Sequence, residues 1–117
     1  MYYIYRHTLP DGKRYIGKTT NPKQRFYPLK YKQCTKLYNA IKLYKWETIK
    51  TTILYETENP TLARKLEKLL IAKYDSIENG YNSFCKDYIN DNKVNINQKI
   101  WELLSERHSD VTLCMLI

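Results

Sequence analysis

A chain of 117 residues with 43% hydrophobic and 27% charged side chains suits one globular domain and excludes an intrinsically disordered one. No apolar run reaches the roughly 18 residues a membrane span needs, and the start MYYIYRHT has no leader pattern, so an intracellular protein with no membrane association is expected. The net charge of +8 is uneven: residues 1–50 carry 12 basic and 2 acidic side chains, which suits a polyanionic partner or a merely soluble basic face.

The elements follow in chain order. Residues 2–8 and 13–18 are rich in strand formers and flank Leu9-Pro10-Asp11-Gly12, where Pro presets one dihedral and Gly accepts positive φ, so a β-hairpin is predicted. Alternation puts Tyr3 and Tyr5 on one face of the first strand, and Tyr15 and Gly17 on one face of the second. Asn21-Pro22 reads as the cap and first position of a short helix carrying Arg25 and Phe26 and stopping near Pro28. A loop with Lys30, Tyr31 and Lys32 follows. Thr35 is the expected cap of a second helix, with Leu37, Ala40, Ile41 and Tyr44 on its apolar face.

Thr48 to Tyr55 alternates as a third strand, and Asn59-Pro60 starts a helix running to about residue 75. Leu62, Leu66, Leu69 and Leu70 form its buried stripe, with Glu67 beside them. Asn79-Gly80 is a turn signal before Tyr81-Asn82. A further helix is expected over Val94 to Arg107 with Ile96, Ile100, Leu103 and Leu104 on one side, and the apolar end VTLCMLI has no evident partner. It suits a cover for the core or a dimer contact. Cys34, Cys85 and Cys114 are scattered singly, which argues for reduced thiols and against a disulfide framework or a zinc site. Twelve tyrosines with abundant Lys, Asn and Ile are also what an AT-rich genome produces, so abundance alone assigns no tyrosine a role.

Order and spacing are more specific. Tyr3-Ile4-Tyr5, then Tyr15-Ile16-Gly17-Lys18-Thr19, then Arg25, then the helix glutamate Glu67, then Gly80-Tyr81-Asn82 resembles the GIY-YIG nuclease family over roughly residues 2–82. The resemblance implies an α/β (α+β) fold with a central three-stranded antiparallel sheet flanked by helices, in the order β-β-α-α-β-α plus a C-terminal helix. It implies a catalytic domain over 1–85 and an extension over 86–117 packed on the core or at a dimer contact, in a monomer or homodimer. The implied activity is hydrolysis of DNA phosphodiester bonds with Mg²⁺ (or Mn²⁺), held by Glu67.

Phosphodiester hydrolysis needs an activated water, stabilisation of charge on phosphate and help for the leaving oxygen. By resemblance, Tyr5 and Tyr15 position or deprotonate the water, Arg25 grips the scissile phosphate, Lys18 supports a phenolate or touches phosphate, and Asn82 ties the turn to the site. Tyr3 stands where the family has glycine, which leaves it as an alternative to Tyr5. Leu29 stands where many members have a histidine one turn after the arginine, so Tyr31 is the candidate replacement, with Tyr27 behind it. His7 and His108 are read as structural or exposed. Lys18, Arg25, Lys30, Lys32 and Lys36 are the expected DNA-backbone contacts. A non-catalytic nucleic-acid-binding module on the same fold is the alternative, and a small protein-interaction domain a third reading.

Overall fold

A computed structural model describes residues 1–82, 96–106 and 111–113. Cys85, His108 and Cys114 lie outside them. The first hairpin forms as its residues dictate: β1 (Tyr2–Thr8) pairs antiparallel with β2 (Arg14–Thr19). The turn is closed by Gly12 N–H to Leu9 O at 2.9 Å, with Gly12 at φ 83°. β3 (Lys50–Thr57) pairs antiparallel with the other side of β1, giving the expected three-stranded sheet in the order β2-β1-β3. It starts and ends two residues later than alternation alone suggests. Where Ile4 faces Tyr55 and Tyr5 faces Ile53, Leu54 is an extra residue, so Leu54 and Tyr55 both reach the same core.

The helices lie on both faces. Asn59 caps α3 (Pro60–Lys73), accepting from Thr61 N at 3.0 Å and Leu62 N at 3.1 Å. Here α1 is Pro22–Arg25, a single turn capped by Asn21, and α2 is Thr35–Tyr44. Cys34 rather than Thr35 occupies the cap position of α2, without a side-chain bond. The apolar stripe of α3 packs with Ile4, Ile16 and Leu54 on one sheet face. Leu37, Ala40 and Ile41 of α2 pack with Tyr5, Tyr15 and Tyr31 on the other. The period-two alternation of β1 thus separates an aliphatic layer from an aromatic one.

The C-terminal part joins this core. Ile100 of α4 (Ile96–Glu106) is buried in the aliphatic cluster. The partner missing for the chain end is the sheet: β4 (Val111–Leu113) pairs with β3 as a fourth strand, Tyr55 opposite Leu113. Three residues are too few to show a period, and the pairing is with a segment far away in sequence.

Candidate active site

Cross-strand register brings the two motif tyrosines together. Tyr5 faces Gly17 and His7 faces Tyr15. A Cβ built on Gly17 would fall on the end of the Tyr5 ring, so the motif glycine makes room for that phenol. Tyr5 is fully buried, with its ring against Phe26 at 4.9 Å and His7 at 4.8 Å.

Arg25 organises the hydroxyls. Its Nε donates to Tyr5 Oη at 3.0 Å, its Nη2 to Tyr15 Oη at 3.3 Å and its Nη1 to Lys30 O at 3.0 Å. The guanidinium also lies over the Tyr31 ring, 4.3 Å from its centre. A guanidinium has about five N–H groups, so these bonds leave roughly one on each terminal nitrogen. Tyr31 Oη donates to Tyr5 Oη at 3.2 Å, and His7 Nε2 is 2.7 Å from Tyr31 Oη. The structure therefore brings Tyr5, Tyr15, Arg25 and Tyr31 into one hydrogen-bonded cluster. Tyr3 is half-buried and Tyr27 is exposed, both outside that cluster.

Burial decides the ionisation of the tyrosines. It holds Tyr5 above the ordinary phenol value, against the opposing pull of hydrogen bonds from Tyr31 and Arg25. Tyr15 and Tyr31 are raised too, by burial first and then by Tyr5, with Arg25 opposing. Arg25 favours a phenolate at Tyr5 and Tyr15, as a nearby cation does, but desolvation outweighs it, and by the chain's own groups the phenols are neutral. His7 is lowered to about 3, by burial and then by Arg25, so its ring is neutral as well.

Glu67 sits half-buried on α3 beside Leu66 and Leu70. Burial raises its carboxyl, while Lys18, Lys68 and Arg25 draw it down. Lys18 faces Ile4 across the hairpin, with its Nζ 6.0 Å from the centre of the Tyr2 ring. Glu67 is thus electrically coupled to Arg25 and hence to the tyrosine cluster. A single carboxylate suits an ion that keeps most of its waters and also takes phosphate oxygens. Among the described residues there is no group of three or more His, Cys, Asp or Glu able to cage a metal. Thr19, Thr20, Asn21, Gln24, Arg25 and Lys30 line an open polar cleft of about 160 Å³ next to the guanidinium. Lys32 is exposed, and Lys36 Nζ donates to Ile77 O at 2.8 Å.

The Gly-Tyr-Asn segment closes the outer edge of β2. Ile16 N–H donates to Asn82 Oδ1 at 2.8 Å and Asn82 Nδ2 donates to Ile16 O at 2.8 Å, so one side chain pairs like a neighbouring strand. Tyr81 N–H donates to Arg14 O at 2.9 Å, an approach that a Cβ on Gly80 would block. Asn82→Ala removes both partners of Ile16 at a buried position. A loss of roughly 2 to 4 kcal/mol is expected from the two unpaired backbone groups. Urea unfolding checks it; a midpoint unchanged from wild type contradicts this role.

Two further residues join the cluster: His7, read from the sequence as structural or exposed and found fully buried, and Cys34, given no role there. His7 stands two residues after Tyr5 on the same strand face, so period two was the clue to its place. Cys34 Sγ, 3.8 Å from Tyr15 Oη, had none.

Residues 1–82 match the family model described as the GIY-YIG catalytic domain. No curated protein and no solved structure matches the chain in the corresponding comparisons.

Proposed function

The chain belongs to the GIY-YIG nuclease family, and on that footing we propose that it is a Mg²⁺- or Mn²⁺-dependent endonuclease hydrolysing DNA phosphodiester bonds. One observation supports this above the others: the hydroxyls of Tyr5 and Tyr15 both converge on the Arg25 guanidinium, which keeps donors to spare beside an open polar cleft.

In this reading the DNA backbone lies along the cleft, and the remaining N–H groups of Arg25 grip the non-bridging oxygens of the scissile phosphate. Tyr5 and Tyr15 orient the attacking water, Tyr5 taking up its proton as it gives up its own phenolic proton. Glu67 holds the metal ion, which when bound supplies positive charge to the phosphate in the transition state. Lys18 offsets part of the Glu67 charge, and the rings of Phe26, Tyr31 and Trp46 keep bulk water from the rear of the site. Lys30 and Lys32 add sequence-independent attraction for phosphates. Among the described residues, no helix is long and apolar enough to cross a membrane.

The test is plasmid nicking in Mg²⁺ and in EDTA, with Tyr5→Phe beside Tyr3→Phe. Wild type and Tyr3→Phe are expected to nick in Mg²⁺ only. Tyr5→Phe is expected to lose about 100-fold or more, in keeping with loss of a positioned proton acceptor. DNA binding without nicking by wild type, over a range of metals and DNA forms, supports the non-catalytic module instead. Loss of activity in Tyr3→Phe alone moves the first catalytic position to Tyr3.

A further inference from the structure

Behind Tyr5 lies a file of groups that the cleavage chemistry above leaves idle. His7 is fully buried, and both its ring nitrogens are engaged: Nε2 is 2.7 Å from Tyr31 Oη and Nδ1 is 2.8 Å from Thr51 Oγ1. Tyr31 Oη in turn donates to Tyr5 Oη at 3.2 Å, so His7 Nε2 donates to Tyr31 and Thr51 Oγ1 donates to His7 Nδ1. Thr51 is the cross-strand partner of His7 on β3, and it is exposed. An unbroken hydrogen-bonded file thus runs from the site, through the aromatic layer, to a hydroxyl in contact with solvent. Every member can both donate and accept a proton: two phenols, a neutral imidazole and an alcohol. Phe26 and Trp46 each pack at a steep angle against His7, ring centres 5.5 Å away, which covers the middle of the file.

We propose that Tyr31, His7 and Thr51 form a proton relay joining the Tyr5 hydroxyl to solvent at β3. It rests on the nuclease reading of the site. In the sense the structure shows, the file carries a proton inward: Tyr5 releases its outward proton to the cleft, Tyr31 passes its proton to Tyr5, and His7 passes its Nε2 proton to Tyr31. Thr51 passes its hydroxyl proton to His7 Nδ1 and takes one from bulk water. The file is then reversed and ready for attack: as the attacking water gives a proton to Tyr5 Oη, Tyr5 passes its inward proton to Tyr31 Oη and Tyr31 passes its proton to His7 Nε2. His7 gives its Nδ1 proton to Thr51 Oγ1, and Thr51 releases its hydroxyl proton to bulk water. Each member keeps its proton count, and the water is left as hydroxide. The hydroxide oxygen bonds to phosphorus as the bond from phosphorus to the leaving oxygen breaks. A proton returning along the file from Thr51 lets Tyr5 release its outward proton to that oxygen, which returns every hydrogen bond to the sense that attack needs. No lasting phenolate or imidazolium is needed, in keeping with burial that keeps both ring types neutral. Tyr31, His7 and Thr51 are positioning and relay residues; only Tyr5 meets the water.

The test uses the full chain with Thr51→Val, Thr51→Ser and His7→Gln. Thr51 is exposed and Val keeps its shape, so the fold is retained. Thr51→Val and His7→Gln are expected to lower kcat about 10-fold or more, with KM unchanged, because general-base efficiency depends on proton removal. Thr51→Ser restores kcat. In mixtures of light and heavy water the wild-type rate follows a bowed curve, several protons moving together, and Thr51→Val follows a straight line. Wild-type kcat with a bowed curve in Thr51→Val overturns the relay, as does equal impairment in Thr51→Ser or an effect confined to KM. Nitrogen-15 spectra of His7 decide independently of cleavage. The relay needs a neutral His7 with its resting proton on Nε2 and Nδ1 accepting from Thr51, so one ring nitrogen resonates as protonated and the other as unprotonated but hydrogen-bonded. Both nitrogens protonated throughout the neutral range overturn the relay even if DNA is cut. A neutral, hydrogen-bonded His7 in a protein that never cuts instead overturns the nuclease reading on which the relay rests.

Discussion

Glu67→Gln is expected to abolish cleavage and divalent-metal binding while leaving the protein as stable as wild type, or more so. The side chain keeps its shape and loses only its charge. That charge is costly to the fold, since burial on α3 raises the carboxyl above its ordinary range. A carboxyl whose folded value is raised binds protons more readily in the native state than in the unfolded chain. Its contribution therefore falls as pH rises through the window between the unfolded and folded values, and above that window the ionised group is a net burden. Glutamine removes the burden. The lost metal charge, by contrast, was worth several kcal/mol to the transition state, or about 1000-fold in rate. Calorimetric titration with Mn²⁺, nicking and urea unfolding measure the three consequences separately. Nicking within about tenfold of wild type removes Glu67 from the mechanism. Lost nicking together with a lower urea midpoint makes it a structural residue instead.

Arg25→Ala is the second change with a large expected effect, about 100- to 1000-fold in kcat, the scale of one preorganised donor to a developing charge. The loss is twofold. Charge facing the phosphate disappears, and so does the bracket holding Tyr5 Oη, Tyr15 Oη and Lys30 O around one planar group. Arg25→Lys distinguishes these effects. An ammonium preserves the charge, but as a point donor on a flexible stem it does not replace three bonds in one plane together with stacking on Tyr31. Arg25→Lys is therefore expected to stay near the alanine variant in kcat while recovering most of the DNA affinity. Full recovery of kcat by lysine reduces Arg25 to a charge and sinks the bracketing role.

Tyr5, Tyr15, Arg25 and Glu67 could be named because their order and motifs resemble those of the GIY-YIG family, while the turn, the caps and the apolar stripe told which element each sits on. The choice of Tyr31 over Tyr27 was open in the sequence, because both lie in one irregular loop. The structure separates them: Tyr31 is fully buried and hydrogen-bonded to Tyr5, whereas Tyr27 is 55% exposed. The choice between Tyr3 and Tyr5 was open for a different reason, since alternation gives both the same face. Gly17 separates them, because its missing side chain lies opposite Tyr5. The ionisation of the tyrosines could not be read from the sequence, because neighbouring cations can be counted there, while desolvation depends on what packs around the ring.

The sequence by itself determined the hairpin, the capped helix carrying Glu67 and the alternation that puts Tyr3 and Tyr5 on one face of β1 and Tyr15 and Gly17 on one face of β2. These depend on local dihedral preference and on periods of two and 3.6 residues, which a short window contains. Tertiary structure alone decided the rest. It paired Val111–Leu113 with β3, laid Asn82 along the backbone of Ile16, and set His7 between Tyr31 and Thr51. Each of these is a contact between segments distant in the chain, and no local pattern says which segment meets which. Such contacts exist only once burial has brought the segments together, and burial is also what holds the tyrosines as neutral, hydrogen-bonded phenols.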